Sequence, residues 1–306
     1  PIGGTLARLD VAAAREAIGR EIGAALGLTE AAAADAVVRI ANARMAGAIR
    51  LVSIARGYDP QRFTAVAFGG GGALHAGALI KEIGLDGALV PRYPGITSAL
   101  GCIIADVRHD QVLTLNADVE SLDIARLDRI MTAAGRAARA VVERSGLPVE
   151  RIDVVYELDM HYQGQTHTVP VPLPVGLGAG GTGIDRACVQ TAFDRAYRTA
   201  FSRLLPGIAV RIVNLRTAAI GRRPAFDFRA LAPDATARPE AARTGSRPVW
   251  LDGAWRETAI YDRLALPIGA RVDGPAILEQ PDATTVVDPG LAARVDDFGN
   301  LIVRRI

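Results

Sequence analysis

Apolar residues recur at helical spacing in the first part of the chain. Residues 11–26 and 30–56 each place an apolar side chain at about every third or fourth position, which predicts two amphipathic helices. Gly27 supplies a stop for the first helix and Thr29 an N-cap for the second. We expect the second helix to pack along a sheet with its larger apolar residues, Val37 and Ile40 among them.

A strand, a glycine-rich turn, a helix and a second strand follow. Residues 63–68 form a short apolar run, the pattern of a strand covered on both faces. Four glycines at 69–72 lead into a helical pattern at 73–83, and residues 87–91 predict another strand. This order is typical of α/β architecture.

The pattern changes after residue 106. Helices are predicted at 122–144 and 184–204, and strands at 107–115, 152–162, 166–173 and 210–219. Prolines at 170, 172 and 174 place the third of these strands at a sheet edge. Residues 221–248 are rich in Ala, Arg and Pro and indicate a linker, after which short strands and turns follow.

These patterns divide the chain into three consecutive regions. We expect an α/β region at residues 1–106, an α+β region at 107–221, and a linker with a small β-rich C-terminal module at 222–306. The chain begins at Pro1 and its first methionine is Met45, so we expect a processed product or a piece of a longer protein.

Composition narrows the class of protein. The chain has 306 residues, 50% of them hydrophobic and 22% charged, which suffices to bury a core. The 35 basic and 33 acidic residues give a net charge of +2, so no positive field favours nucleic acid as a partner. No apolar run reaches the roughly 18 residues that a bilayer requires, and no signal peptide precedes the helices, so we expect a cytoplasmic protein without a membrane partner.

The two cysteines, Cys102 and Cys188, lie in apolar or helical surroundings and indicate buried thiols in a reducing compartment. No histidine and acid accompany either of them in a known motif, so thiol catalysis is not expected. Schiff-base chemistry on a lysine would depend on Lys81, the one lysine in the sequence.

The four glycines after the first strand carry the strongest local signal for a ligand. Glycines let the backbone approach a ligand without Cβ clashes, and the following helix presents free N–H groups to anionic or polar groups. A tight strand-to-helix connection without a ligand explains the same pattern equally well. No phosphate loop of the G-x-x-x-x-G-K-[ST] type occurs in the sequence.

Two weaker glycine patterns are rejected as nucleotide sites. Gly176, Gly178 and Gly181 satisfy G-x-G-x-x-G, but the preceding strand is rich in proline and no acidic residue follows at the spacing that holds a ribose. The segment 3–5 has the G-G-T of an actin-like phosphate loop, but Pro1 stands where that loop has aspartate.

Polar residues alternate along one predicted strand. Glu157, Asp159 and His161 project from one face and could ligate a metal or share a proton. The alternative, which we favour, is a solvated face opposite Tyr156, Leu158, Met160 and Tyr162. His75 lies beside the glycines. It either takes part in a ligand site there or caps the start of the helix as a structural residue.

Five blocks of sequence together resemble the hydantoinase A and 5-oxoprolinase family, which includes the matching subunits of acetone- and acetophenone-type carboxylases. The blocks are IANARMAGAIRLVSIARGYDP (40–60), VAFGGGGALHAGAL (66–79), PGITSALGCIIADVRHD (94–110), LDMHYQGQTHTVPVPLP (158–174) and GPAILEQPDATTVVDPG (274–290). Their order agrees with the C-terminal part of that family. The family's N-terminal part, with its phosphate loop, is not in this sequence.

The resemblance implies the second-domain portion of an actin/Hsp70/sugar-kinase-like ATPase fold. It implies ATP with Mg²⁺ as cofactors, and an adenosine site formed by Phe68, Gly69, Gly70, Gly71 and Gly72 with His75 nearby. Ala73 stands where the family usually has proline, and His161 where it usually has arginine. The histidine is titratable, which puts a phosphate-binding role at that position in doubt.

The function implied is that of a C-terminal segment or separate subunit of an ATP-dependent hydantoinase, oxoprolinase or ketone carboxylase. In this family ATP phosphorylates an amide or enol oxygen. The expected partners are a chain or segment carrying the N-terminal ATPase half, a hydantoinase B-like subunit, and a small amide or ketone substrate. The alternative is a non-catalytic scaffold or interaction subunit that retains the fold. The sequence assigns no catalytic residue and no protein-bound metal.

Overall fold

The computed structural model describes residues 10–233 and 239–306, and it divides into two compact units. The first unit contains the described residues up to 103 together with Asp227–Ile306, and the second is Ile104–Phe226. The G-G-T segment at 3–5 lies outside the described residues. The fold is α/β with mixed sheets.

The helices follow the predicted order, with one further helix, at Thr97–Ile104, that the sequence pattern did not predict. They are α1 (Val11–Ile18), continued by a π-helical turn (Gly19–Gly23) and α2 (Ala24–Leu26), then α3 (Glu30–Val52), α4 (Gly72–Ile83), α5 (Thr97–Ile104), α6 (Ile124–Arg144) and α7 (Arg186–Phe201). Gly27 ends α2 in the left-handed conformation, with φ of 65°. The Thr29 hydroxyl accepts a hydrogen bond from the Ala32 N–H and caps α3. Both predicted helix boundaries are confirmed.

The strands also follow chain order. They are β1 (Thr64–Val66), β2 (Gly87–Val90), β3 (Val107–Asp118), β4 (Arg151–Tyr162), β5 (Val169–Pro172), β6 (Val210–Arg222), β7 (Arg243–Leu251), β8 (Ala254–Asp262), β9 (Arg271–Asp273), β10 (Ala276–Gln280), β11 (Ala283–Val287), β12 (Leu291–Val295) and β13 (Leu301–Arg305). The first unit holds the sheets β1-β2-β13-β12-β9 and β11-β10-β8-β7, and the second holds β3-β6-β4-β5.

The C-terminal strands complete the sheet of the first unit. β13 pairs antiparallel with β2, so Leu301 faces Val90, and helix α4 packs against β2, β11 and β13. The β-rich region therefore shares a sheet and a core with the strand–turn–helix–strand unit, which differs from the separate module expected at 222–306. The expected linker at 221–248 also differs, because β6 extends to Arg222 and β7 begins at Arg243.

Strand β1 is less covered than its apolar sequence predicts. It pairs parallel with β2, as expected, but lies at the end of the sheet. Val66 is 57% exposed, and the neighbouring Phe63 and Phe68 are also exposed. The prediction that both faces of this strand are covered is therefore wrong for the described chain.

Helix α3 packs by its small residues. Its buried positions are Ala33, Asn42 and Ala46, and it contacts α4. The larger side chains of Val37 and Ile40 are exposed, so the prediction that this face covers a sheet is wrong. Small side chains allow the two helix backbones to approach closely.

The second unit is an antiparallel sheet covered by α6 and α7. Its core includes Tyr156, Leu158 and Met160 from β4, packed with Phe193 of α7 and Leu215 of β6. β5 lies at the sheet edge with its two prolines exposed, as their positions predicted. In the described part of the chain, no helix is both long and apolar enough to cross a bilayer.

The G-x-G-x-x-G segment before α7 forms a tight turn. Gly178 and Gly181 pair with each other through their backbones. The next residue, Thr182, donates from its N–H and its hydroxyl to the Asp128 carboxylate of α6, at 2.8 and 2.6 Å. The glycines thus close a connection onto α6.

Candidate functional site

The glycine turn joins the end of β1 to the start of α4. Gly69 adopts a left-handed φ of 80°, which favours glycine, and its N–H donates to the Pro94 carbonyl at 2.7 Å. Gly71 is the N-cap of α4 and offers no side chain to the free N–H groups of the first helical turn. These N–H groups and the helix dipole create a partial positive charge at the turn.

The four glycines face different surroundings. A Cβ on Gly70 would lie 3.5 Å from the Asp282 carbonyl oxygen, and one on Gly72 would lie 3.5 Å from the backbone of Ala67. Within the described part of the chain, a Cβ on Gly69 or Gly71 would meet nothing within 4 Å. The turn therefore presents open backbone at its first and third glycines.

An exposed aromatic ring precedes the turn. Phe68 is 52% exposed and Leu74, in the first turn of α4, is 44% exposed. An exposed phenylalanine beside free N–H groups can pack against a planar ring while the N–H groups bind a polar ligand. The structure thus places Phe68 and the four glycines in one continuous stretch.

His75 is held by a helix other than its own. Its Nδ1 lies 2.8 Å from Oδ1 of Asn42, which is buried in α3. In neutral histidine this contact requires the proton on Nδ1, so that Nε2 is left as an acceptor. His75 is half-buried in the first turn of α4 and links two helices, which gives it a structural role whatever else it does.

A large open cavity of about 1770 Å³ adjoins this helix in the first unit. Its lining includes Asn42, Leu74, Lys81 and Asp288, along with both tryptophans of the β7–β8 hairpin. Burial raises the pKa of the Asp288 carboxyl, and the Lys81 charge offsets part of that rise. The lining is more apolar than polar, and its charged residues are of both signs: Arg15, Arg39, Lys81, Arg247, Glu30, Asp35, Asp252 and Asp288.

The alternating polar residues of β4 form an ion-pair cluster. Asp159 is 4% exposed and accepts from Arg216 Nε at 2.9 and 3.0 Å and from Asn214 Nδ2 at 2.9 Å. Glu157 lies 3.9 Å from the same arginine, whereas His161 contacts the Tyr162 carbonyl. The expected solvated face is therefore wrong for Asp159, which β6 buries.

The electrostatics of Asp159 follow from that burial. Burial alone would raise its pKa, but the hydrogen bonds from Arg216 and Asn214 outweigh it, so the pKa lies below the ordinary value. In residues 10–233 and 239–306, no group of three His, Cys, Asp or Glu side chains could hold a metal ion. The geometry of this cluster is that of a structural ion pair.

Two residues of the site were missed from the sequence. Asn42 interrupts an apolar helical stripe, and a polar residue in that position is a signal for a buried hydrogen bond. Asp288 gave no such signal, because its approach to α4 depends on the packing of β11 against a helix that lies about two hundred residues earlier in the chain.

Comparisons with known proteins agree with this architecture over nearly the whole chain. Residues 3–111 match the family described as hydantoinase/oxoprolinase, and residues 123–305 match the hydantoinase/oxoprolinase C-terminal domain. The chain is 30% identical over 305 residues to the caprolactamase alpha subunit of Pseudomonas jessenii, covering 96% of this chain and 42% of that subunit. It is 26% identical over 298 residues to the acetone carboxylase beta subunit of Xanthobacter autotrophicus, covering 94% of this chain and 41% of that subunit.

A solved structure shows the same fold. The crystal structure of the ATP-dependent caprolactamase from Pseudomonas jessenii matches with a TM-score of 0.72 and 27% identity, over 99% of this chain and 44% of that one. The chain therefore spans about two fifths of the length of these relatives.

Proposed function

Because the chain belongs to the hydantoinase/oxoprolinase family, we propose that it is the C-terminal segment or a separate subunit of an ATP-dependent enzyme acting on a small amide or ketone. The amide class is supported by the likeness to a caprolactamase subunit, and the ketone class by the likeness to an acetone carboxylase subunit. In this proposal the chain binds the adenosine end of ATP, within the second-domain portion of an actin-like ATPase fold.

The observation that carries the proposal is the open glycine turn. Open backbone at Gly69 and Gly71 allows a ligand to approach, and the start of α4 offers N–H donors to its polar groups. The exposed ring of Phe68 fits an adenine or ribose face, and His75 lies one helical turn further along. These groups would orient the nucleotide, a positioning role that contributes to rate without covalent chemistry.

The described residues bear differently on the two proposed cofactors, ATP and Mg²⁺. ATP would supply the phosphoryl group that activates an amide or enol oxygen, and the residues at the turn fit a nucleotide. The described residues contain no cluster fit for Mg²⁺, so the ion would arrive with the phosphates and be held by groups outside that part of the chain.

Exposed apolar side chains around β1 support a partner carrying the N-terminal ATPase half. Phe63 is 47%, Val66 57% and Leu51 70% exposed. Val66 lies on β1 and Phe63 directly before it, at the end of the sheet, where a further element could pair with the strand and cover them; Leu51 lies on α3. A hydantoinase B-like subunit would complete the enzyme.

The test is a charged side chain placed in the open turn. Gly71→Arg, in the complex assembled with its partner chains, should weaken ATP binding at least tenfold and lower the ATPase rate. A Cβ at Gly71 meets nothing within 4 Å and its φ is −104°, so the fold should tolerate the change. Gly245→Arg on β7, where a Cβ also meets nothing within 4 Å, is the matched control and should leave both values unchanged.

Calorimetric titration with ATP measures the affinity, and phosphate release measures the rate. Unchanged affinity in Gly71→Arg would overturn the site assignment. Absence of any ADP-dependent stabilisation in the assembled wild-type complex would instead favour the scaffold alternative, in which the fold persists without nucleotide chemistry.

A further inference from the structure

A fully buried arginine lies in the first unit with most of its hydrogen-bonding capacity unused. Arg263 has 0% exposure, and one of its terminal nitrogens, Nη2, donates to the Gly299 carbonyl. Among the described residues, its Nε and Nη1 have no hydrogen-bond partner. A buried guanidinium in this state is costly unless an anion accompanies it.

A second arginine converges on the same point. Arg92 follows β2, and its Nη2 donates to the Leu264 carbonyl at 3.4 Å, while its Nη1 is buried and has no partner in the described part of the chain. A Cβ on Gly299 would lie 2.9 Å from Arg92 Cδ and 3.1 Å from Nη1. The two guanidinium groups therefore meet at Gly299, and each has free N–H groups.

The nearby acidic side chains already have other donors. Asp282 accepts from Gln280 Nε2 at 2.6 Å and from the Gly95 N–H at 2.8 Å. Asp296 accepts from the N–H groups of Phe298 and Asn300. Neither arginine lies within ion-pair distance of an acidic side chain in 10–233 or 239–306, although the charges of Asp296 and Asp282 raise the pKa of Arg263 from further away.

Burial is the main reason that the pKa of Arg263 falls, to about 10, and the Arg92 charge adds to the effect. At neutral pH Arg263 thus remains a cation. Arg92 is half-buried, so its side chain is the part of the pair that solvent reaches. Guanidinium N–H groups match oxyanions in geometry as well as charge.

We propose that Arg263 and Arg92 form an anion-binding site that takes a small oxyanion, either a phosphate or a carboxylate group. The site is built from the segment after β2, the segment after β8 and the turn before β13. It is distinct from the glycine turn and needs no nucleotide, so it stands independently of the adenosine site proposed above.

The site is nevertheless connected to that turn through one hairpin. Gln280 Nε2 donates to the Arg92 carbonyl at 3.1 Å, and the carbonyl of Asp282, two residues later, approaches Gly70. An oxyanion held by the arginines would thus fix the β10–β11 hairpin that contacts the glycines.

Calorimetric titration of the 306-residue chain with inorganic phosphate and with acetate, at ionic strength held constant with sodium chloride, tests the proposal. The wild type should bind at least one of these ions saturably. Arg92→Met and Arg263→Met should each weaken that binding at least tenfold. Arg271→Met removes an exposed arginine paired with Asp273 and should bind as the wild type does.

Circular dichroism establishes that each variant is folded, and Arg92→Met decides the outcome if Arg263→Met does not fold. Binding of phosphate alone identifies a phosphoryl ligand, and binding of acetate alone identifies a carboxylate. Failure of the wild type to bind either ion, or equal binding by the wild type and both variants, would overturn the proposal. Because no nucleotide is present, that failure would leave the adenosine site untouched.

Discussion

The Asp288 carboxylate lies where Gly77 would carry a side chain: a Cβ on Gly77 would be 1.9 Å from Asp288 Oδ2. Gly77 is in the middle of α4, and Asp288 directly follows β11. The missing side chain at Gly77 therefore sets how closely the end of this strand approaches the helix that begins at the glycine turn. A glycine within a helix is costly, so its presence here has a packing reason.

Gly77→Ala should lower the free energy of unfolding, because inserting a group into a filled space typically costs about 1–3 kcal/mol. This loss should exceed the gain of about 1 kcal/mol that alanine brings within a helix. Urea denaturation followed by circular dichroism measures the difference. Gly47→Ala in α3, where a Cβ meets nothing within 4 Å, is the control and should stabilise the chain. A stabilising Gly77→Ala would contradict the close approach of Asp288.

Asp288 should make stability fall as pH rises. Its pKa is raised above 3.8, mainly by burial, so folding favours the protonated form. The stabilisation is fully present below 3.8 and is lost as pH rises through the folded-state pKa. Asp288→Asn should therefore gain stability relative to the wild type between pH 3.5 and 7. A difference that stays constant over this range would contradict the shift; Asp297→Asn, at an exposed position, is the control for loss of a surface carboxylate.

The Asp159–Arg216 pair should respond to pH in the opposite direction. The pKa of Asp159 lies below 3.8 because hydrogen bonds from Arg216 and Asn214 outweigh burial, so its contribution is present above 3.8 and lost as pH falls through the folded-state pKa. Arg216→Met should destabilise the chain at pH 7, and this loss should shrink in acid. Arg139→Met, which removes an exposed pair with Glu143, should cost less. Equal losses at every pH would exclude this account.

The His75–Asn42 hydrogen bond fixes the tautomer of the histidine ring. At a pH where the ring is neutral, ¹⁵N NMR should show the proton on Nδ1, because Asn42 Oδ1 can only accept. Asn42→Ala should shift the population towards the Nε2 proton and cost about 1 kcal/mol of stability. An Nε2 proton in the wild-type ring would mean that this hydrogen bond is not formed. His167, which is exposed and has no hydrogen-bond partner among the residues that the structure describes, serves as the internal reference.

Much of the fold was predictable because local signals decided it. Gly27 and Thr29 mark helix ends by their own backbone and side-chain chemistry, and the prolines of β5 mark an edge. The burial of β1 was not predictable from its own residues, because it depends on what lies beside a strand at the end of a sheet. The joining of β13 to β2 was missed for the same reason, since the two strands are more than two hundred residues apart in sequence.

The residues of the candidate site also divide into those that one segment predicts and those that depend on distant segments. The glycine turn follows from four consecutive residues, whereas Arg263 and Arg92 meet only because distant segments converge at Gly299. Asp159 alternates with apolar residues along β4, as a residue on a solvated face would. It is nevertheless buried by β6, which also supplies Arg216, its ion-pair partner. Sequence patterns therefore identified single-segment features and missed those that depend on partners elsewhere in the chain.

The two cysteines should differ in reactivity. The prediction of two buried thiols is wrong for Cys102, which is exposed on α5, whereas Cys188 is partly buried in α7. Burial raises the pKa of the Cys188 thiol above 9.0, and the nearby Asp185 charge raises it further, so little thiolate is present at neutral pH. Ellman's reagent at pH 7.5 should therefore modify one thiol rapidly and the other at least tenfold more slowly. Cys102→Ser should abolish the fast phase, and Cys188→Ser should leave it intact. A fast phase that survives Cys102→Ser would show that α5 is covered or that α7 opens readily.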